Sequence, residues 1–324
     1  MIFSKRIKTR SCSVMNSILK CGLKAKTVWM LSFCTCLSLL YVGFYFADIN
    51  VHPSFADFSS LAMLTIKNET FRQNQSLIGA TNHIITAKLF EKNTVGILIP
   101  STTRRMKAPA FHKLSLNTLC LPSIYKTIEN KYVYKIYIGT DRDDYLYSIK
   151  HKIETLFHNV SVYKVSGKTF VKTVNAIARK AYDEGMDYLV RINDDTSFET
   201  KNWTSAGITV LQSYSPPNVG VVGPTCKAGK TTILTHDLVH RTHLNIFGFY
   251  YPPYFDNWWA DDWITNVYKS ERSTKLESWV VKHHQKFHGT RYNVDYKKRH
   301  QLKDIVFEGQ SQLRKYISEN PNIL

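Results

Sequence analysis

Met186 to Thr200 reads MDYLVRINDDTSFET. The apolar run Tyr188-Leu189-Val190 passes through Arg191 and Ile192 into Asn193-Asp194-Asp195, and the polar Thr196 and Ser197 follow. A short strand-forming run that ends in adjacent carboxylates is the pattern of a buried strand opening onto a site. Ligands of open α/β sheets collect at the carboxyl ends of such strands. Two neighbouring acids repel each other unless something cationic lies between them and a partner. A hard divalent ion, Mg²⁺ or Mn²⁺, suits carboxylate oxygens and normally brings substrate phosphates with it. The plain alternative is an Asx-rich turn that follows a strand, since Asn and Asp are common turn residues.

Outward from this stretch, strand and helix alternate. Val95-Gly96-Ile97-Leu98-Ile99 is a continuous apolar strand ended by Pro100 and the polar run 101–105. Residues 111–128 can form a helix that breaks or restarts at Pro122. Tyr132 to Ile138 is a second strand, with the polar exit Gly139-Thr140-Asp141-Arg142-Asp143-Asp144. A helix through 144–157 precedes a third strand, 160–165. Val174, Ile177, Ala178 and Ala181 mark a helical face that Gly185 stops. The opening strand, at 187–192, is then the fourth. The expected fold is α/β, an open, mostly parallel twisted sheet with flanking helices and polar clusters along one edge. The second half changes character: a strand at 219–223, a stretch rich in His and aromatics at 236–268, β-rich segments at 279–284 and 289–292, and a closing helix near 308–317.

The 324 residues suffice for a substantial core, and 44% hydrophobic with 13% aromatic content marks a globular chain. Net charge is +18, but residues 1–27 hold seven of the basic residues and no acid. The remainder is less basic, and no nucleic-acid partner is expected. Val28 to Ala47 is uncharged over twenty residues, the length of a bilayer-spanning helix. The positive-inside rule puts 1–27 in the cytosol and everything after Asp48 on the far side. A cleaved signal peptide would have a shorter apolar core and a small-residue cleavage site. Residues 48–92 read as a stem and 313–324 as a tail. Of six cysteines only Cys120 and Cys226 follow the apolar run, and one disulfide between them is open. Sequons at Asn68, Asn74, Asn159 and Asn202 agree with a secretory-pathway location.

Three further motifs can be weighed. Gly223 to Thr231 resembles a phosphate-cradling loop but has five residues between its glycines, and Pro224 removes a donor. His236-Asp237-Leu238-Val239-His240 approaches the zinc helix H-E-x-x-H, with Asp a methylene too short; histidines of a polar loop beside substrate are the alternative. Phe247 to Trp263 packs Tyr251, Trp258 and Trp259 beside Asp261 and Asp262. Flat rings stack on sugars or simply fill a core. An acidic pair among aromatics is harder to explain structurally, and either acid could act as general base towards a hydroxyl. His283, His284 and His288 lie before Gly289, and one of them could complete a carboxylate-held metal site.

In this order the residues resemble the type II Golgi glycosyltransferases of the GT-A fold, which use nucleotide sugars and Mn²⁺. The resemblance covers roughly 93–312, and Asn193-Asp194-Asp195 stands where that family's D-x-D motif stands. It implies that Asp195 binds the metal and that Asp194 contacts ribose or metal, with Asn193 in place of the first acid. It further implies nucleotide contacts from Ser101 and Arg104 after the first strand, Asp141 and Asp143 after the second, and Asn175 and Arg179 on the helix. Asp262, or else Asp261, would be the base. His240, Tyr251, Trp258 and Trp259 would face the acceptor, and His284 or His288 would be the late metal ligand. The activity so implied is hexosyl or N-acetylhexosaminyl transfer from a nucleotide sugar, with a UDP-sugar the expected donor, to a glycan, glycoprotein or glycolipid. Its setting would be the Golgi membrane, with one transmembrane helix and a lumenal catalytic domain. A Golgi sulfotransferase, needing no metal, and a non-catalytic glycan-binding protein are the rivals.

Overall fold

In a computed structural model that describes residues 92–228, 232–287, 289, 291 and 294–320, eight strands form one mixed sheet. They are β1 (Thr94–Pro100), β2 (Val133–Asp141), β3 (Val160–Val165), β4 (Tyr188–Arg191), β5 (Thr196–Phe198), β6 (Val221–Lys227), β7 (Asp237–His240) and β8 (Ser273–His283). Their order across the sheet is β3-β2-β1-β4-β7-β6-β8-β5. Strand order reverses at β1, which has β2 on one side and β4 on the other, both parallel to it. A crevice therefore opens at the carboxyl ends of β1 and β4, the switch point where such sheets bind ligands.

Five helices matter for the site: α1 (Leu121–Thr127), α2 (Phe170–Asp183), α3 (Trp203–Ser213), α4 (Ala260–Val267) and α5 (Leu302–Glu319). Because strand side chains alternate between faces, the sheet divides the core into two layers. Val95, Ile97 and Ile99 of β1 join Val190 and Ile192 beneath Leu121, Ile124, Trp203 and Leu211. Leu98 and Leu189 point the other way, to Val174, Ile177 and Ala181 of α2 and to Trp263, Ile264 and Leu313. The α2 face read from the sequence is thus the face that packs on the sheet. It lies so close that a Cβ on Gly139 would stand 2.6 Å from Thr173 Cγ2.

The second half departs from expectation. β7 runs antiparallel to β4 and to β6, and β5 antiparallel to β8, so the parallel character is confined to β1–β4 and the β6–β8 pair. Residues 236–240, weighed as a zinc helix, belong largely to a strand. Along it His236 and His240 lie at opposite ends, roughly 13 Å apart at a strand's rise per residue. Gly223 and Pro224 sit inside β6 rather than in a phosphate loop. Gly289 and Arg291 are not in a strand. The 111–128 region is three short pieces, with Pro122 in the first turn of α1, where its missing N–H costs nothing. Cys120 and Cys226 are both free and buried, so the open disulfide is not formed. Asn159 and Asn202 are exposed with φ of 55° and 59°. The tail, anchor and stem assignments to 1–27, 28–47 and 48–92 lie outside the described residues, apart from Lys92, as do Asn68, Asn74 and His288. Among the described residues no helix is long and apolar enough to cross a membrane.

Candidate active site

The triplet after β4 is held from three directions. Ile192 N–H donates to Leu98 O at 3.1 Å, prolonging the β1–β4 pairing, and Thr196 N–H closes a turn on Asn193 O at 3.2 Å. β5 then enters the sheet beside β8 with Thr196 opposite His283, and His284 N–H donates to Asp195 O at 2.8 Å. The end of β8 is thereby fixed against the triplet.

The three members of the triplet are held by different sets of partners, with Arg291 near both acids. Asn193 Oδ1 accepts from Arg191 Nη1 at 3.2 Å. Asp194 accepts from Ser101 Oγ at 2.6 Å and is gripped by both terminal nitrogens of Arg291, Nη1 to Oδ2 at 2.8 Å and Nη2 to Oδ1. Arg291 also donates to Thr102 O at 3.0 Å. Asp195 faces His283, whose Nε2 lies 3.0 Å from Oδ1. Burial alone would raise the Asp195 pKa, but the His283 ring and Arg291 hold it below the ordinary carboxylate value. Apart from this ring nitrogen, no donor among the described residues reaches Asp195 Oδ1, which is buried.

That orphaned oxygen beside a ring nitrogen tests the fit of a divalent cation. A carboxylate oxygen and an imidazole nitrogen are both donors that such an ion accepts, so the pair fits. Asp195 and His283 are the residues that would hold it, and the remaining positions would fall to phosphate oxygens or water. Among the described residues no group of three His, Cys, Asp or Glu could hold a metal ion. The late imidazole at the triplet is thus His283, while His284, one of the two sequence-based candidates beside His288, turns its Nε2 to Ser197 Oγ at 3.0 Å. Neighbouring strand residues face opposite sides, and the β5–β8 register selects which one meets Asp195.

These groups border a cavity of about 400 Å³ whose walls include Phe170, Arg191, Trp258, Asp261, His283 and Arg291. Asp261 stands in the first turn of α4, where the helix dipole favours an acid. Burial first, and then the Asp262 charge, raise its pKa above the ordinary carboxylate value, against an opposing pull from Arg191. A carboxyl so poised suits general-base work. Asp261 rather than Asp262 lines the cavity, which reverses the preference drawn from sequence.

The other expected residues divide. Ser101 and Asp194 meet, and Arg104 pairs with Asp141 at 2.8 Å across the exits of β1 and β2, while Asp143 is exposed on the turn beyond. Asn175 and Arg179 do not line the cavity. Asn175 accepts from the Tyr250 and Tyr251 N–H groups at 3.1 and 2.8 Å, and Arg179 donates to Gly248 O at 2.8 Å, so both fasten the aromatic segment to α2. Of the acceptor candidates, Trp258 is 37% exposed on the cavity wall. Trp259 turns its indole N–H to Asp295 O at 2.9 Å. Tyr251 is fully buried, bonded to Arg191 and Asp237. His240 pairs in register with Tyr188, at the far end of β4 from the triplet. Sequence reasoning missed Arg291 and Arg191. Arg291 comes from a loop with no periodicity to flag it, and an arginine within an apolar strand run was the one available signal for Arg191.

No protein-family model matches the chain, and no curated protein does. Among solved structures, S. aureus TarS 1–349 aligns at a TM-score of 0.46 with 11% identity, over 67% of this chain and 65% of that one. The same protein in complex with UDP-GlcNAc gives 0.46 and 11%, over 70% and 71%. The 4-diphosphocytidyl-2C-methyl-D-erythritol synthase from Anaerococcus prevotii aligns at 0.43 with 12% identity, over 70% and 99%. This chain spans less than two thirds of the first of these, and likenesses so slight carry no activity or substrate across. The site rests on its own geometry.

Proposed function

We propose that this chain is a GT-A-like glycosyltransferase that moves a sugar from a nucleotide-sugar donor, expected to be a UDP-sugar, to a hydroxyl of a glycan acceptor. The observation that carries the reading is the convergence of Asp195, His283, Arg291 and Asp261 on one cavity at the switch point of the sheet. Asp195 and His283 would hold Mn²⁺ or Mg²⁺, which supplies stabilisation of the charge that grows on a departing diphosphate. Arg291 already donates to a carboxylate and could offer the same fork to phosphate oxygens. Trp258 would stack on the acceptor, and Asp261 would accept the proton of the attacking hydroxyl. As the new bond to the anomeric carbon forms, the bond to the diphosphate breaks and its electron pair leaves with the nucleotide.

The amino-terminal reading belongs to the same proposal: a cytosolic tail, a membrane anchor at 28–47, a stem, and a catalytic domain in the Golgi lumen. The test uses the full-length chain in detergent with a panel of UDP- and GDP-sugars. A raised melting temperature and nucleotide release, both dependent on Mn²⁺, are expected. Asp195→Ala should lower transfer by on the order of 10²–10³ with the circular dichroism spectrum unchanged. Metal-dependent activity retained in that variant refutes the assignment.

A further inference from the structure

Arg191 borders the cavity yet has no part in the transfer chemistry described above. Its side chain is 2% exposed and its ion-pair partner Asp237 is fully buried, Nη2 to Oδ2 at 3.0 Å. A guanidinium carries five N–H donors in a rigid fork. Three are spent on protein: Nε on the Tyr251 hydroxyl at 2.7 Å, Nη1 on Asn193 Oδ1 at 3.2 Å, and Nη2 on Asp237. The Tyr250 and Tyr251 hydroxyls both donate to Asp237, so the knot beneath the cavity is fixed from every side. Among the described residues nothing takes the other two N–H groups, one on each terminal nitrogen. A buried donor without an acceptor is costly, and a ligand oxygen in the cavity would satisfy it.

Charge decides which kind of oxygen. Asp237 already balances Arg191, Asp194 takes the fork of Arg291, and Asp195 and Asp261 add negative charge to the same cavity. A ligand carboxylate here would meet a neutralised cation and a like-charged neighbour. A hydroxyl oxygen accepts an N–H without bringing charge, and a neighbouring hydroxyl can donate to Asp261. Phe170 and Trp258 supply flat apolar walls for the C–H faces of a ring.

We infer that Arg191 and Asp261 form two sides of a subsite for a neutral polyhydroxyl ring, one hydroxyl accepting from the guanidinium and another donating to the carboxylate. The inference rests on the reading of this cavity as a sugar-transfer site. Charged sugars such as uronates are disfavoured there.

The full chain with diamagnetic Mg²⁺ and UDP is titrated by saturation-transfer NMR with methyl β-glucoside, methyl β-galactoside and methyl β-glucuronide. At least one neutral glycoside is expected to bind, and the glucuronide about tenfold more weakly. Arg191→Lys keeps the charge against Asp237 but loses the fork. It should weaken the neutral glycoside about tenfold while the UDP affinity stays within about threefold. Where Arg191→Lys fails to fold, monodeoxy glucosides on the unaltered protein read the same contact. One position at least must then lose a similar factor. The inference is overturned if no neutral glycoside binds, if the glucuronide binds as well as the glucoside, if folded Arg191→Lys binds the glycoside unchanged, or if every deoxy sugar binds alike. Glycoside binding without any UDP binding sinks the transfer reading and leaves the subsite standing.

Discussion

Asp261 and Asp262 are adjacent in sequence and unequal in setting. Asp261 borders the cavity, and burial together with its neighbour's charge raises its pKa. A general base works only when ionised, so turnover should fall as pH drops through that raised value, placing the acid limb above the ordinary carboxylate range. Asp262→Asn removes the neighbouring charge and should move the limb to lower pH in a pH–rate profile. Asp261→Asn should cost roughly 10²–10⁴ in kcat. The same shift has a consequence for stability. A carboxyl whose folded pKa is raised contributes stability that is present at low pH and lost as pH rises through that pKa. Asp261→Asn should therefore raise, not lower, the melting temperature at pH 7. A lower Tm together with an unmoved acid limb would remove Asp261 from the base role.

Among the elements, β6 and β7 carry the strictest packing demand near the site. A Cβ on Gly223 would stand 2.5 Å from the His236 carbonyl oxygen, a backbone atom that cannot swing aside. His236 in turn bonds Thr196 Oγ1 at 3.0 Å through Nε2, and its ring lies edge-on to His283, 5.9 Å between centroids. Gly223→Ala should thus push β7 away and disturb His283, at about 1–3 kcal/mol in stability. Gly185, with φ of +85° and nothing among the described residues within 4 Å of the added carbon, should cost only the left-handed backbone strain of roughly 1–2 kcal/mol. Denaturant melts of the two variants give the stability order, and Mn²⁺ titration should show weakened metal binding for Gly223→Ala alone. Equal effects on metal binding would break the proposed chain from β6 to His283. The β1–β4 half was readable because apolar runs, polar exits and one helical face each recur locally. β5 was not, because three residues carry no period, and β7 was obscured by its resemblance to a metal-binding helix.

For the molecule as a whole, buried histidines contribute to the acid side of the stability curve. Burial holds His236 well below its ordinary pKa and pushes both His240 and His243 down to about 4. Unfolded, each titrates near 6.5. Between those values these histidines bind more protons unfolded than folded, so their contribution to stability is complete above about pH 6.5 and declines as pH falls towards 4. His243, bonded to the Tyr268 hydroxyl and Tyr250 O, should alone contribute on the order of 2–3 kcal/mol to that decline. Urea melts at pH 7.0, 5.5 and 4.5 check this, and His243→Gln should flatten the dependence. An unchanged midpoint across that range would mean that the imidazoles are not buried neutral.

The strand-ending carboxylates, the paired acids beside tryptophans and the βα alternation follow from residue type and short spacing, and these the chain determined by itself. Which of two adjacent acids borders the cavity, and which of two adjacent histidines reaches Asp195, depend on helix entry and strand register. Those are properties of pairing between segments 60 to 100 residues apart. The grip of Arg291 on Asp194, across 97 residues, belongs to the same class. A side chain's chemistry is written locally, but its direction is decided only when distant backbones hydrogen-bond.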